Sequence, residues 1–295
     1  MNSVTLVAPD STYDFTIGDD SSLCLILGPC VIESREHLLR HASGIVAMIS
    51  EYPNLKLVFK SSYDKANRTS GAGFRGLGID EGLSLLEEVR KEFNVPVITD
   101  VHSPEDVKSA ASVVDILQIP AFLCRQTDLL VAAGSTGKTT LIKKGQFLHP
   151  SDMKFAAEKV KLSGSENILL CERGACFGYR DLVVDFRSFS IMRDAGFPVV
   201  FDATHAVQVM GGASGSSSGN REYVPALARA ALAFGVDGLF LECHESPETA
   251  PSDGPNMLPL EVLPNVLKTL SRYWHLRTSL VSEGVLDTRY AIVSS

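Results

Sequence analysis

Eight short apolar runs punctuate the chain, and nearly all of them stop at a charged or metal-capable side chain. They are Leu23–Cys30, Leu55–Ser62, Pro96–Asp100, Ile116–Pro120, Thr139–Lys144, Asn167–Arg173, Pro198–His205 and Gly238–His244. Runs this short, rich in Val, Ile and Leu and separated by helix-like segments, read as parallel strands buried on both faces. Eight of them predict an α/β fold of the closed (β/α)8 TIM-barrel class. In such a barrel the active site lies at the carboxyl ends of the strands. Cys30, Lys60, Asp100, Gln118, Lys143, Arg173, His205 and Glu242 are therefore expected around one mouth, which marks the chain as an enzyme.

The remaining organisation follows from that pattern. Residues 1–22 hold two apolar stretches, Thr5–Pro9 and Tyr13–Ile17, around a polar turn, which reads as an N-terminal β-hairpin extension capping the barrel floor. Residues 23–275 form the barrel, and residues 276–295 a tail without clear period. Ser34 is placed to cap a helix carrying His37, Leu38, His41, Ile45 and Ile49. Further helices are expected at 80–93, after Pro104, after Ser151, at 222–234 and at 260–274. Two loops are long: 208–220, rich in Gly and Ser and placed to act as a lid, and 243–259.

No apolar run approaches the roughly 18–20 residues needed to span a bilayer, and no secretory signal is visible at the N-terminus, so a cytoplasmic protein without a membrane partner is expected. A net charge of −8 argues against a nucleic-acid partner. Cysteines 24, 30, 124, 171, 176 and 243 include no CxxC pair, and apart from Cys30 they read as small buried hydrophobes in a reducing compartment.

Two constellations carry chemistry. The segment Phe59–Thr69 holds Lys60, Lys65 and Arg68 with hydroxyls on Ser61, Ser62 and Thr69. Cations and hydroxyls at one strand end make an anion site, and Lys143 and Arg173 add to it from other strand ends. This implies a substrate with at least one phosphate. The run Gly134–Thr140 superficially suggests a nucleotide phosphate loop, but only two residues separate its glycines where four are needed. It reads as a turn into the fifth strand. The second constellation is Cys30, His205 and Glu242 at the ends of neighbouring strands, with Asp253 in the following loop. A thiol, an imidazole and two carboxylates suit Zn²⁺, Fe²⁺ or Mn²⁺. His244 is a rival ligand, expected to face away from Glu242.

At these residues the chain resembles the 3-deoxy-D-manno-octulosonate 8-phosphate synthase family. The carriers are GPCVIES (28–34), FKSSYDKANRTS (59–70), ITDVH (98–102), QIPAFLCRQTDLL (118–130), IKKGQF (142–147), ERG (172–174), FDATHAVQ (201–208) and SDGPNMLPL (252–260), spread over most of the barrel. The resemblance implies condensation of phosphoenolpyruvate with arabinose 5-phosphate, release of phosphate, and a cytoplasmic homotetramer serving lipopolysaccharide synthesis. It implies that Lys60, Ser62, Lys65, Gln118, Lys143 and Arg173 hold phosphoenolpyruvate. Asn67, Arg68 and Thr69 would hold arabinose 5-phosphate, with Arg125 reaching into a neighbouring subunit's site and Asp100 lining the reacting centre. Lys60, Asp100, Lys143 and His205 are thus the expected catalytic set. Cys30, where the metal-free branch of the family has Asn, implies the metal-requiring branch, with Cys30, His205, Glu242 and Asp253 as ligands. The Ser-rich lid and the tail from Leu276 onward depart from the family pattern. The nearest rival is the related synthase that condenses phosphoenolpyruvate with erythrose 4-phosphate. A Schiff-base aldolase using Lys60 or Lys143, and a barrel that only binds a sugar phosphate, are more distant.

Overall fold

The computed structural model describes residues 2–8, 12–67, 71, 73–178, 181–209 and 218–286. The chain opens with an antiparallel hairpin, β1 (Val4–Val7) and β2 (Asp14–Ile17). Strands and helices then alternate: β3 (Leu23–Gly28), α1 (Arg35–Ile49), β4 (Leu55–Lys60), α2 (Ile79–Phe93), β5 (Val97–Asp100), α3 (Pro104–Ala111), β6 (Ile116–Ile119) and α4 (Thr127–Ser135). They continue as β7 (Thr139–Lys143), α5 (Met153–Lys161), β8 (Ile168–Glu172), α6 (Arg187–Arg193) and β9 (Val199–Asp202). The two-residue strands β10 (Gln208–Val209) and β11 (Ser218–Gly219) pair with each other at the two ends of the Gly/Ser-rich segment. The chain then runs through α7 (Val224–Phe234), β12 (Gly238–His244), β13 (Leu258–Pro259) and α8 (Leu263–Ser282).

Strands β3 to β9 pair in sequence order, all parallel, and β12 pairs with both β3 and β9. The sheet thereby closes on itself, leaving eight strands without a free edge. The closed parallel barrel with helices outside is the fold the apolar runs predict. Alternation sorts the strand residues into two cores. Leu25, Leu57, Val97, Leu117, Ile142, Leu170, Phe201 and Leu239 face outward, against the helices. Ile26, Val58, Ile98, Ile116, Leu141, Leu169, Val200 and Phe240 face inward and fill the lumen. The hairpin joins this inner core through Val4, Leu6, Phe15 and Ile17. It sits at the amino ends of the strands: Asn2 N–H donates to the Gly196 carbonyl (2.9 Å) and Tyr13 Oη–H to Asp115 (2.6 Å). The barrel is therefore a packed column, plugged below and open above.

Helix ends follow the sequence signals. Ser34 accepts from the His37 N–H (3.2 Å) and caps α1. Ser103 and Asp106 form a reciprocal capping box on α3. Helix α8 runs through Leu276, where the tail is placed from sequence, and on to Ser282; buried Arg277 donates to Asp20 there (2.7 Å). Among the described residues no helix is long and apolar enough to cross a membrane.

Candidate active site

Inward alternation delivers one polar tip per strand above the lumen. Beyond Val58 comes Lys60, beyond Ile98 Asp100, beyond Ile116 Gln118, beyond Leu141 Lys143, beyond Cys171 Arg173, beyond Val200 Asp202, and beyond Phe240 Glu242. All seven are buried. The first strand contributes differently. It ends at Gly28, whose φ is +155° and where a Cβ would run into the Lys60 carbonyl oxygen. This close approach lets Cys30 follow on the loop, its carbonyl accepting from Lys60 Nζ (2.8 Å).

Thiol, imidazole and carboxylates meet at one side of the mouth. Cys30 Sγ donates to Asp253 Oδ2 (3.3 Å) and to Ser252 Oγ (3.0 Å). His205 Nε2 lies 3.5 Å from Asp253 Oδ2 and 3.8 Å from Glu242 Oε2. Glu242 Oε2 is buried and has no hydrogen-bond partner among the described residues. Donor spacings of this size are those a tetrahedral ion spans with bonds of roughly 2.0–2.3 Å. Cys30, Glu242 and Asp253 each bring a ligand-capable atom within 4.8 Å of the others, and His205 stands beside the two carboxylates but outside that group. The set fits a divalent ion by donor chemistry and by the orphaned carboxylate oxygen. Asp253 holds its place with a left-handed backbone, φ 51°, the kind of strain that collects at functional sites.

Buried charges in the mouth are matched. Lys60 Nζ pairs with Glu242 Oε1. Lys143 Nζ donates to Asp202 Oδ2 (2.5 Å) and lies 3.6 Å from the Phe240 ring centroid. Asp202 also takes the His205 Nδ1 proton (2.7 Å) and the His205 N–H (2.9 Å). Burial opposes ionisation of Asp202, but His205, Lys143 and Arg173 outweigh it and hold the carboxyl well below its usual range. Burial likewise works against a charged His205, and the Asp202 carboxylate overcomes it, raising the imidazole. Around Lys65, burial is outweighed by Cys30, Asp100, Glu242 and Asp253, which raise the ammonium well above the ordinary lysine range. Burial and then Glu242 push the Cys30 thiol up; a divalent ion would reverse that by binding the thiolate.

Three further polar atoms at the mouth are buried without a hydrogen-bond partner among the described residues: Asp100 Oδ1, Gln118 Oε1 and Arg173 Nη1. Orphans of this kind cost about 1–3 kcal/mol each unless a ligand satisfies them. Of these, Arg173 Nη1 is a donor that an anion would satisfy, whereas Asp100 Oδ1 and Gln118 Oε1 are acceptors that call for a hydroxyl or another donor; Lys60 and Lys65 add positive charge beside Asp100. Ser62 Oγ accepts from Lys65 Nζ (3.3 Å), placing a hydroxyl on the same rim. Asn67 is exposed, and Arg68 and Thr69 lie outside the described residues. Arg125 is exposed as well, on the loop after β6, its carbonyl accepting from Lys159 Nζ (2.7 Å).

Asp202 is absent from the sequence-derived set. The run Pro198–His205 draws attention to its terminal histidine, yet the strand stops at Asp202 and His205 follows on a short turn. Counting alternation from Val200 would have found it.

His244 faces away from the mouth as expected, but alternation is not the cause, since residues two apart on a strand share a face. Pairing with the barrel neighbours ends at Glu242; beyond it β12 pairs with β13, and His244 turns toward α1. There it meets His37 and His41, all three buried, their ligand-capable atoms within 4.8 Å of one another. Hydrogen bonds account for this knot. Ser246 N–H donates to His244 Nδ1 (2.9 Å), so the His244 proton sits on Nε2, facing Glu33 Oε1 (2.8 Å) and His37 Nε2 (2.9 Å). Glu245 N–H donates to His41 Nε2 (3.1 Å), and His41 Nδ1 donates to the His37 carbonyl (2.8 Å). Of the six ring nitrogens, His37 Nδ1 alone has no hydrogen-bond partner among the described residues; the other five are engaged.

The family model described as the DAHP synthetase I family matches residues 4–278. Among curated relatives, the 2-dehydro-3-deoxyphosphooctonate aldolase of a Synechococcus species is 54% identical over 272 residues, covering 92% of this chain and 95% of its own. The protein of the same name from Trichlorobacter lovleyi is 58% identical over 254 residues, 86% of this chain and 93% of that one. That of an Azoarcus species is 51% identical over 276 residues, 93% of this chain and 98% of that one.

Proposed function

The chain belongs to the DAHP synthetase I family, and we propose that it condenses phosphoenolpyruvate with arabinose 5-phosphate and water, giving 3-deoxy-D-manno-octulosonate 8-phosphate and phosphate. The observation that carries this reading is identity of 51% to 58% over most of the chain to proteins named 2-dehydro-3-deoxyphosphooctonate aldolase. The same reading assigns that product to lipopolysaccharide synthesis.

The reaction forms a bond from C3 of phosphoenolpyruvate to the sugar aldehyde carbon. Water adds at C2, and phosphate leaves with cleavage of its C–O bond. An enol phosphate is a weak carbon nucleophile, and two phosphates and a carboxylate repel one another. Lys60, Lys65, Lys143 and Arg173 counter that repulsion, with Ser62 and Gln118 as polar contacts to phosphoenolpyruvate. Holding both reactants in attack geometry contributes up to roughly 7–11 kcal/mol in favourable cases. Asn67, Arg68 and Thr69 take the sugar phosphate, and Arg125 serves the site of a neighbouring copy in a homotetramer. Asp100 faces the reacting centre, and Asp202 fixes the His205 proton on Nδ1, which leaves the Nε2 lone pair facing Glu242 and Asp253. The protein acts in the cytoplasm.

This reading places the chain in the metal-requiring branch, with Zn²⁺, Fe²⁺ or Mn²⁺ held by Cys30, His205, Glu242 and Asp253. When bound, the ion supplies Lewis acidity toward the aldehyde or the water and no redox chemistry.

Purified protein incubated with phosphoenolpyruvate should liberate phosphate with arabinose 5-phosphate. Because the matching family model is described by the heptulosonate synthetase, erythrose 4-phosphate is the control, and faster release with it would overturn the choice of substrate. Chelation should abolish turnover and divalent ions restore it; full activity in metal-free protein would sink the metal assignment. Cys30→Asn should lower metal content while retaining some turnover. Unchanged metal content in that variant removes Cys30 from the ligand set.

A further inference from the structure

Arg173 is the one guanidinium among the described buried cations of the mouth, and only one of its arms is spoken for. Its Nη2 donates to Gln208 Oε1 (2.9 Å), while Nη1 is buried with no hydrogen-bond partner among the described residues. A guanidinium is planar, so fixing one arm fixes the direction of the other. Gln208 is itself buried, 8% exposed, and its carbonyl oxygen must face the arginine because a guanidinium only donates.

Gln208 is held from an unexpected direction. It lies on β10, and its partner across the pair is Gly219 of β11. The Gly219 backbone packs so closely on Asn256 that an added Cβ would overlap the carboxamide oxygen. Asn256 is fully buried, and neither of its side-chain polar atoms has a hydrogen-bond partner among the described residues. Its N–H donates to the Asp253 carbonyl (2.9 Å). A continuous chain of contacts therefore runs from Arg173 through Gln208, Gly219 and Asn256 to the strained loop that presents Asp253.

We infer that Gln208 is a positioning residue, which aims the free arm of Arg173 at the anionic group of phosphoenolpyruvate, and that packing of Gly219 on Asn256 sets where Gln208 stands. The inference rests on the proposed condensation. Gly219 is required here for space, since any side chain would push β11, and with it β10, off Asn256.

Three variants test it, with phosphoenolpyruvate kinetics and thermal protection by inorganic phosphate as readouts. Gln208→Leu should raise KM for phosphoenolpyruvate roughly ten- to hundredfold, the range expected for losing a hydrogen bond to a charged group. KM for the aldose phosphate and Tm without ligand should stay near wild type, and protection by phosphate should weaken. Gln208→Glu keeps an acceptor for Nη2 and should recover most of the affinity. Gly219→Ala should reproduce the Gln208→Leu pattern, and Gly219→Ala with Asn256→Ala, which makes room for the methyl, should revert toward wild type. Unchanged phosphoenolpyruvate KM and phosphate protection in Gln208→Leu overturn the inference. So does an equal loss in Gln208→Glu, or a loss that merely tracks a lowered Tm. Should Gln208→Leu not fold, the Gly219 pair decides alone, and failure of the double variant to revert counts against the inference. Failure of the proposed function is separate: wild-type protein would then release no phosphate from phosphoenolpyruvate with arabinose 5-phosphate.

Discussion

Two histidines, the largely buried His205 in the mouth and the buried His37 behind the barrel wall, respond to desolvation in opposite ways. Burial disfavours the charged form of both. For His37 it prevails, joined by the neighbouring rings of His41 and His244, and the imidazole falls to about 3. For His205 the Asp202 carboxylate outweighs it, and the imidazole rises. Burial thus sets a default toward neutrality, and one acid within hydrogen-bond reach reverses it. The wall knot is a hydrogen-bonded spacer between α1 and β12. The mouth is an assembly of matched charges kept ready for anions.

The strongest way to break this contrast is Asp202→Asn. It strips His205 and Lys143 of their shared carboxylate and makes the mouth resemble the knot. Removing one partner of a buried pair costs about 3–5 kcal/mol, and urea denaturation should show a loss of that size. Turnover should fall on the order of a hundredfold or more, as it does when a preorganised electrostatic contact is lost. Near-wild-type turnover would mean that Asp202 does not set the state of the mouth.

His41→Leu probes the other side. It leaves the Glu245 N–H without its partner and removes the side-chain bond to the His37 carbonyl, at about 1–3 kcal/mol. Stability should drop by that amount while kcat and KM stay unchanged. A change in kinetics without a change in stability would show that the knot communicates with the mouth.

The smallest effect concerns His102, which bonds Asp100 Oδ2 (3.1 Å). Burial opposes its charge, but the bond to Asp100 and that carboxylate's charge raise it above the ordinary 6.5. A histidine raised in the folded state adds stability that is fully present below the unfolded value and is lost as pH rises through the folded one. The stability difference between wild type and His102→Asn should therefore be largest below pH 6.5 and shrink on the alkaline side. Its slope cannot exceed about 1.4 kcal/mol per pH unit for a single proton. His37, depressed instead of raised, acts on the other limb: it favours the fold above pH 6.5 and weakens it toward pH 3. A difference between wild type and His102→Asn that grows with pH would reverse the assignment.

The barrel was legible because its strands are buried on both faces, which leaves unbroken apolar runs such as Leu23–Leu27. Their polar tips were legible for the same reason, since Lys60 or Lys143 stands out after such a run. Asp202 was masked by His205, which ends the run three residues later. Helix α6 escaped because it is only seven residues long and its buried Arg193 reads as surface until Asp237, 44 residues on, supplies a partner (2.9 Å). The extent of α8 depended in the same way on Asp20, from the far end of the chain. Long-range polar pairs leave no periodic trace. Gln208 could be quoted as part of a motif, but its bond to Arg173 requires the fold.

The hairpin at the floor has a kinetic consequence. Its residues are made before any barrel strand, yet Ile17 and Val4 belong to one core with side chains as distant as Val200 and Phe240. That seat does not exist until the last strand has closed the ring. The hairpin must wait, apolar and unprotected, while the eight strands are made, and its docking follows closure of the ring.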